Sequence, residues 1–164
     1  MRLFRILTLM ACAAGASVVA AEPVQNSASL TPELALKLAQ ATQKACRDQD
    51  YQVTVAVVDR AGLLQVLLRD QLAGNFTVAI AQRKATTAAG FRQSTLGLAR
   101  QLGSRSELRA LDREAEILLV GGGVPVEYNG QVVGALGISG APTPEADHAC
   151  GVAGIEALAD ELLF

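Results

Sequence analysis

The chain has 164 residues and a mass of 17.0 kDa, which fits one compact domain. Apolar residues make up 51% and charged residues 18%, so a disordered chain is excluded. A formal net charge of −2 and few aromatic side chains do not favour binding to nucleic acid. One histidine and three cysteines cannot build a closed tetrahedral metal site without carboxylates, which excludes a structural zinc module.

Residues 1–21 have the pattern of a secretory signal peptide. Arg2 and Arg5 precede an apolar run that ends in small residues. The run is shorter than the about 20 apolar residues of a stop-transfer helix, and cleavage at its end or one residue earlier, after Ala20, fits the pattern. We therefore expect a periplasmic or secreted protein, with a short polar leader over residues 22–30.

The cysteines carry two separate expectations. Cys12 lies in the apolar run and loosely resembles a lipoprotein acylation box, which is an alternative to ordinary signal cleavage. Export to an oxidising compartment makes a disulfide between Cys46 and Cys150 the simplest hypothesis for the mature chain. Two buried free thiols are the alternative.

Hydrophobic periodicity predicts an α+β fold in which an antiparallel sheet of five strands is covered by helices, in the order α-ββ-α(α)-βββ-α. Thr-Pro-Glu triplets at Thr31 and Thr143 predict helix starts, and Asn129-Gly130 predicts a tight hairpin. Helices are expected over about 31–48, 75–91, 94–102 and 145–163, with a brief helical turn at 106–111. Strands are expected over about 51–58, 62–69, 116–120, 124–126 and 132–139.

The single histidine, His148, lies in the last predicted helix. It is either a helix residue close to the cap or a ligand for haem iron or another metal. The glycine-rich segments 121–123 and 137–140 lack the order of strand, glycines and helix that nucleotide-binding fingerprints require, so no nucleotide cofactor is expected. They are either turns with close packing or the lining of a ligand cleft. Asp59 and Asp70 are interpreted as turn residues.

Cations and hydroxyls are concentrated on the second predicted helix and just after it. Arg83, Lys84, Thr86, Thr87 and Arg92 lie among small apolar side chains. They are either solvated helix polarity or a site for a flat apolar ligand with carboxylates, because Arg and Lys bind acid groups by charge-assisted hydrogen bonds. A haem or a corrinoid has that mixed character.

Several segments together resemble the GlcG/HbpS family of haem-binding or haem-degrading proteins, which is related to the C-terminal domain of PduO-type adenosyltransferases. The most specific element is the Gly-Gly-Val-Pro stretch with the Gly-Gln-Val-Val-Gly and Gly-Ile-Ser-Gly motifs that follow it. The segments are 57–62, 83–88, 122–126 and 130–140, with Asp147, Cys150, Gly154 and Ile155 near the C-terminus.

The resemblance covers a single domain over residues 31–164. It implies a profilin-like or roadblock-like fold, homo-oligomers and a tetrapyrrole ligand in some members. It also implies that the site region comprises residues 84–88 and the loop with Gly122, Gly123 and Pro125. Thr87 and His148 are the candidates to approach the metal.

Three functions follow as hypotheses. The first is an exported haem or tetrapyrrole-binding protein, more a binding protein than an enzyme, with a possible haem-degrading or redox-sensing accessory role; Arg83, Lys84 and Arg92 would meet the propionates. The second is an oligomeric interaction module without a small-molecule ligand. The third is a glycolate-operon accessory protein that acts on a small hydroxy acid, for which the sequence supplies no cofactor fingerprint.

Overall fold

The computed structural model describes residues 27–102, 110–111 and 114–162. The predicted signal peptide and most of the predicted helical turn at 106–111 lie outside these residues. The elements follow in chain order: α1 (Pro32–Arg47), β1 (Thr54–Asp59), β2 (Leu64–Arg69), α2 (Thr77–Phe91), α3 (Thr95–Leu102), β3 (Gly123–Tyr128), β4 (Gln131–Ser139), α4 (Pro144–Glu156) and α5 (Ala159–Leu162).

In the described part of the chain the strands form one antiparallel sheet in the order β2-β1-β4-β3. The expected α+β class is confirmed, but the prediction of five strands is wrong, because the sheet has four. Residues 116–120 follow a turn without regular secondary structure and do not join the sheet. Side chains of α2 and α3 instead form hydrogen bonds with backbone groups of this segment, namely the carbonyls of Ile117 and Val120 and the N–H of Leu118. These groups are therefore not available to pair with a strand.

The predicted helix starts and hairpins are confirmed. The hydroxyls of Thr31 and Thr143 accept hydrogen bonds from the N–H groups three residues later, at 3.2 and 3.1 Å. Asn129 and Gly130 both have positive φ values, 48° and 72°, as a two-residue hairpin turn requires. The Asp59 carboxylate accepts two N–H groups of the β1–β2 turn, which is its predicted role.

Alternation along the strands separates two layers of packing. On one face, large aliphatic side chains of β1 and β4 such as Val55 and Ile138 pack against α1 and α4. On the other face, Ala56 and Ala135 pack against the alanines of α2. The sheet therefore lies between two helical layers, one built from large side chains and one from small ones.

The last predicted helix is two helices in the structure. The helix α4 ends at Glu156, and the Leu158 N–H bonds back to the Ile155 carbonyl before α5 begins. This turn brings Leu162 into the aliphatic core, where the side chain is 6% exposed. A continuous helix to residue 163, as the sequence predicted, is therefore wrong.

The predicted Cys46–Cys150 disulfide is confirmed. It joins α1 to α4 across a sequence separation of 104 residues, with the Cα atoms 5.2 Å apart. Both cysteines are buried in the aliphatic core. Within the described ranges, no helix has the length and apolar character needed to cross a membrane.

Candidate functional site

Hydrogen bonds to two neighbouring elements hold the triglycine segment 121–123 in place. The Gly122 carbonyl accepts from Ile138 N–H at 2.9 Å, which ties the loop to the end of β4. The Thr95 hydroxyl, from the start of α3, donates to the Val120 carbonyl at 2.7 Å and accepts from Gly123 N–H at 2.8 Å. The loop is therefore held from two sides before β3 begins.

The loop requires glycine because it packs directly on a buried ion pair. Gly122 has φ +116°, and a Cβ atom there would lie 2.6 Å from the Ile138 carbonyl oxygen and 2.9 Å from Lys84 Nζ. At Gly123 a Cβ would collide with the Lys84 carbonyl oxygen. The glycines thus serve close approach to α2.

The buried ion pair joins the two helical layers. Lys84 on α2 donates from Nζ to Asp147 Oδ2 at 2.6 Å and to the Ile138 carbonyl at 2.9 Å. The Asp147 carboxylate on α4 also accepts from Ala141 N–H at 2.9 Å. The two side chains are only 2% and 6% exposed, so this contact is shielded from solvent.

Burial shifts the pKa values of both partners toward each other. Desolvation lowers the pKa of Lys84 and raises that of Asp147, while their mutual attraction opposes both shifts. Lys84 was expected to meet a ligand carboxylate. In the structure its ammonium is instead bound within the protein, which corrects that expectation for the folded protomer.

Arg83 and Thr87, also expected to bind ligand, hold the polypeptide that leads into the glycine loop. Arg83 Nη2 donates to the Ile117 carbonyl at 2.8 Å, and the Thr87 hydroxyl accepts from Leu118 N–H at 2.9 Å. The Arg83 Nε atom is buried without a hydrogen-bond partner. These side chains therefore position residues 116–118 along α2 and do not line an open slot.

The other predicted site residues, Arg92 and Pro125, lie away from the contact between Lys84 and the glycine loop. Arg92 is exposed at the C-terminal cap of α2, in the left-handed region with φ 53°. Pro125 lies in β3, beside a shallow pocket formed with Ile155 and Glu156 of α4. The structure brings Lys84, Gly122 and Gly123 into contact, but it does not gather the whole predicted set around one cavity.

An open cleft lies on the outer side of the glycine loop. It has a volume of about 310 Å³, between α3, the segment 119–121 and the start of α4. Its walls are mostly apolar, and one cation and one carboxylate stand among them. The lining residues are Leu96, Ala99, Arg100, Leu119, Val120, Gly121, Pro144 and Glu145.

His148 lies on α4, one helical turn after Pro144, which lines the cleft. Its side chain is partly buried, and the Nδ1 atom is buried without a hydrogen-bond partner. Burial first, and the positive charge of Arg100 second, lower the pKa of His148 below its ordinary value. Its imidazole is therefore biased toward the neutral form that coordinates metals. In the part of the chain that the structure describes, no cluster of three or more metal-ligating side chains is present.

Sequence reasoning missed Asp147 as the partner of Lys84, and it missed Thr95 and Arg100 altogether. Asp147 is one of the residues that carry the family resemblance. Its charge lies beside the predicted buried face of the last helix, and a charged residue at such a position indicates a buried ion pair. Arg100 lies in a short helix without any motif around it. No local pattern marks it.

The fold agrees with the matches to known proteins. Residues 30–156 match the family described as "Haem degrading protein HbpS-like". The chain belongs to this HbpS-like family. The predicted GlcG/HbpS resemblance is thereby confirmed.

Individual relatives cover most of the HbpS-like domain. Protein GlcG of Escherichia coli K12 is 33% identical over 67% of this chain and 81% of its own. The crystal structure of a double mutant of HbpS from Streptomyces reticuli is 36% identical with a TM-score of 0.77, covering 88% of this chain and 98% of that one. A crystal structure of a PduOC:heme complex is 26% identical with a TM-score of 0.68, covering 79% and 94%.

Proposed function

We propose that the protein is an exported haem or tetrapyrrole-binding protein, and that the ligand enters the cleft between α3 and α4. The observation that carries this proposal is the character of the cleft. Apolar walls surround one cation, Arg100, and one carboxylate, Glu145, and the nearby His148 of α4 has a buried nitrogen without a partner. The HbpS-like family and the haem complex of PduOC support the same ligand class.

The residues of the cleft fit such a ligand in chemistry and partly in size. A macrocycle needs apolar contact on its faces and a cation for its carboxylates, and Leu96, Leu119 and Arg100 supply both. The volume is near the lower end of ordinary ligand pockets, about 300–1,000 Å³, so the cleft takes one edge of the ring. Its open mouth is compatible with the rest of the ring remaining outside.

Each residue has a separate task in this proposal. Leu96 and Leu119 bind the ring edge, and Arg100 holds a propionate by charge-assisted hydrogen bonds. The imidazole of His148 is the candidate for the iron; because its Nδ1 atom is buried, Nε2 is the nitrogen that would bind the iron. Bound haem would supply visible absorption and iron redox chemistry. The proposal concerns binding and includes no catalytic step.

A hemin titration of the purified protein tests the proposal. We expect a saturable Soret shift, and Arg100→Ala should weaken hemin binding about tenfold or more because it removes a charge-assisted bond. His148→Ala should move the position of the Soret band. Arg60→Ala is the matched control, since Arg60 lies in the β1–β2 turn at the far end of the sheet.

A flat titration would remove the proposal. A saturable titration in which all three variants behave like the wild type would keep haem as the ligand but place it outside this cleft. Circular dichroism of each variant would show that the fold is kept.

A further inference from the structure

The backbone of Ile138, near the end of β4, connects Lys84 to the glycine loop. Its N–H donates to the Gly122 carbonyl at 2.9 Å, and its own carbonyl accepts from Lys84 Nζ at 2.9 Å. The ammonium also packs directly against the loop, because a Cβ atom on Gly122 would lie 2.9 Å from Lys84 Nζ. Lys84 therefore holds the loop from the side of α2, and Gly121 of the same loop lines the cleft.

Asp147 holds the connection between β4 and α4. Its Oδ2 atom accepts from Lys84 Nζ at 2.6 Å, and its Oδ1 atom accepts from Ala141 N–H at 2.9 Å. One carboxylate thus joins α4 to the connection that leads into it and to α2. Pro144 and Glu145, which follow this connection, form the α4 side of the cleft.

The walls of the cleft meet at the glycine loop. A Cβ atom on Gly121 would lie 2.7 Å from the Pro144 carbonyl oxygen and 3.1 Å from Leu96 Cδ1. The loop therefore touches both the start of α4 and the helix α3, without room for a methyl group. On the inner side of the loop, a Cβ atom on Gly122 would lie 2.9 Å from Asp147 Cβ. A shift of α4 against α2 would consequently change the shape of the cleft.

We propose that Lys84 and Asp147 are positioning residues for the ligand cleft. Both side chains are almost fully buried and neither lines the cleft, so they act through the glycine loop and the start of α4. His148 follows Asp147 directly on α4, so the same pair fixes the imidazole that is the candidate for the iron. This inference rests on the proposed function, because it assigns how the proposed haem site keeps its geometry.

The positioning role depends on two backbone contacts and not on charge alone. Apolar residues of similar size often replace a buried ion pair without loss of stability. This pair also binds the Ile138 carbonyl and the Ala141 N–H, and apolar side chains cannot bind either group. We therefore expect an apolar replacement to keep the fold but to loosen the glycine loop and the start of α4.

Hemin titration of two double variants separates charge from positioning. Lys84→Met, Asp147→Leu leaves no buried charge and removes both backbone contacts, so it should weaken hemin binding about tenfold or more and move the Soret band. Lys84→Met, Asp147→Asn also leaves no buried charge but keeps a side-chain oxygen for Ala141 N–H. It should bind hemin about threefold or more tightly than the leucine variant, because one hydrogen bond is kept.

Arg47 and Asp70 supply the matched control. The Asp70 carboxylate is also buried, pairs with Arg47 and accepts from Val53 N–H at 2.8 Å, but neither charged residue lines the cleft. Arg47→Met, Asp70→Leu should therefore leave the hemin affinity and the Soret band unchanged. Circular dichroism under the titration conditions shows whether each variant is folded.

The outcomes distinguish this inference from the proposed function. A flat titration of the wild type would remove both. If the wild type binds hemin and the variant Lys84→Met, Asp147→Leu has the same affinity and Soret band, only the positioning role is wrong. A control variant that loses as much affinity, or an asparagine variant no better than the leucine variant, would also overturn it.

Discussion

The two faces of the sheet are packed in opposite ways. In β4, Leu136 and Ile138 face the aliphatic layer with α1 and α4, whereas Ala135 and Gly137 face α2. The aliphatic face is stabilised mainly by buried area. The α2 face buries little area per residue and depends on close approach and on the Lys84 ion pair. The alanines of α2 pack directly on the sheet, and the cleft lies at the rim of this layer, beside the glycine loop.

Removing the disulfide tests how far the aliphatic face depends on its covalent link. Reduction should lower the free energy of unfolding by about 4–5 kcal/mol, since the link closes a loop of about 100 residues in the unfolded chain. Guanidinium unfolding with and without reductant measures this loss. The double variant Cys46→Ser, Cys150→Ser should show no response to reductant. Equal midpoints for oxidised and reduced wild type would contradict the prediction.

Breaking the Lys84–Asp147 pair tests the link between the faces. Lys84→Met should cost about 3–5 kcal/mol, because it leaves the Asp147 carboxylate buried without its cation. The double variant Lys84→Met, Asp147→Leu should recover most of that loss, because no charge remains buried. Chemical unfolding of the three proteins gives both values. If the double variant is as unstable as the single one, the pair has a role beyond charge compensation.

Adding a methyl group tests the close approach of α2. Gly137→Ala should cost about 3 kcal/mol, since the new Cβ would collide with the Ala81 carbonyl oxygen and lie 2.6 Å from Ala85 N. Gly90→Ala, in α2 itself, is the control, because nothing lies within 4 Å of its Cβ position. It should instead stabilise the protein by about 0.5–1 kcal/mol. Similar losses for both variants would contradict the prediction, because the contact between β4 and α2 would then not decide the effect.

The smallest expected effect is the pH dependence caused by His148. Its pKa is lowered in the folded protein, so the unfolded chain binds the proton more readily below about 6.5. The stability that His148 contributes is therefore complete above that pH and is lost as the pH falls through the folded pKa. His148→Gln should remove this part of the pH profile, and Arg100→Gln should reduce it. Unfolding curves of the ligand-free protein at several pH values measure it; parallel profiles for wild type and His148→Gln would refute it.

Local signals predicted the elements well, because caps and turns act over a few residues. Thr31, Thr143 and Asn129-Gly130 each satisfy a backbone requirement within their own segment, and all were identified correctly. The prediction of a strand over 116–120 was wrong because the composition of this segment is typical of a strand, while its hydrogen-bond partners are side chains from helices distant in the sequence. Composition does not reveal those partners.

The candidate site was harder to predict for the same physical reason. The sequence marked Lys84 and the glycine loop as one region, and they do lie in contact. It did not show that Asp147, 63 residues further along the chain, forms an ion pair with that lysine. Nor did the pattern indicate whether Arg83 faces ligand or backbone, since both uses need a cation on the same helix.

The position of the disulfide also determines what a protease can do to this molecule. Cys46 and Cys150 enclose the four described strands and both helices α2 and α3 in one covalent ring. A single backbone cut anywhere in that ring, including the region beside the cleft, leaves both fragments attached. The nicked protein therefore keeps its mass until the disulfide is reduced, so a protease alone cannot separate the fragments.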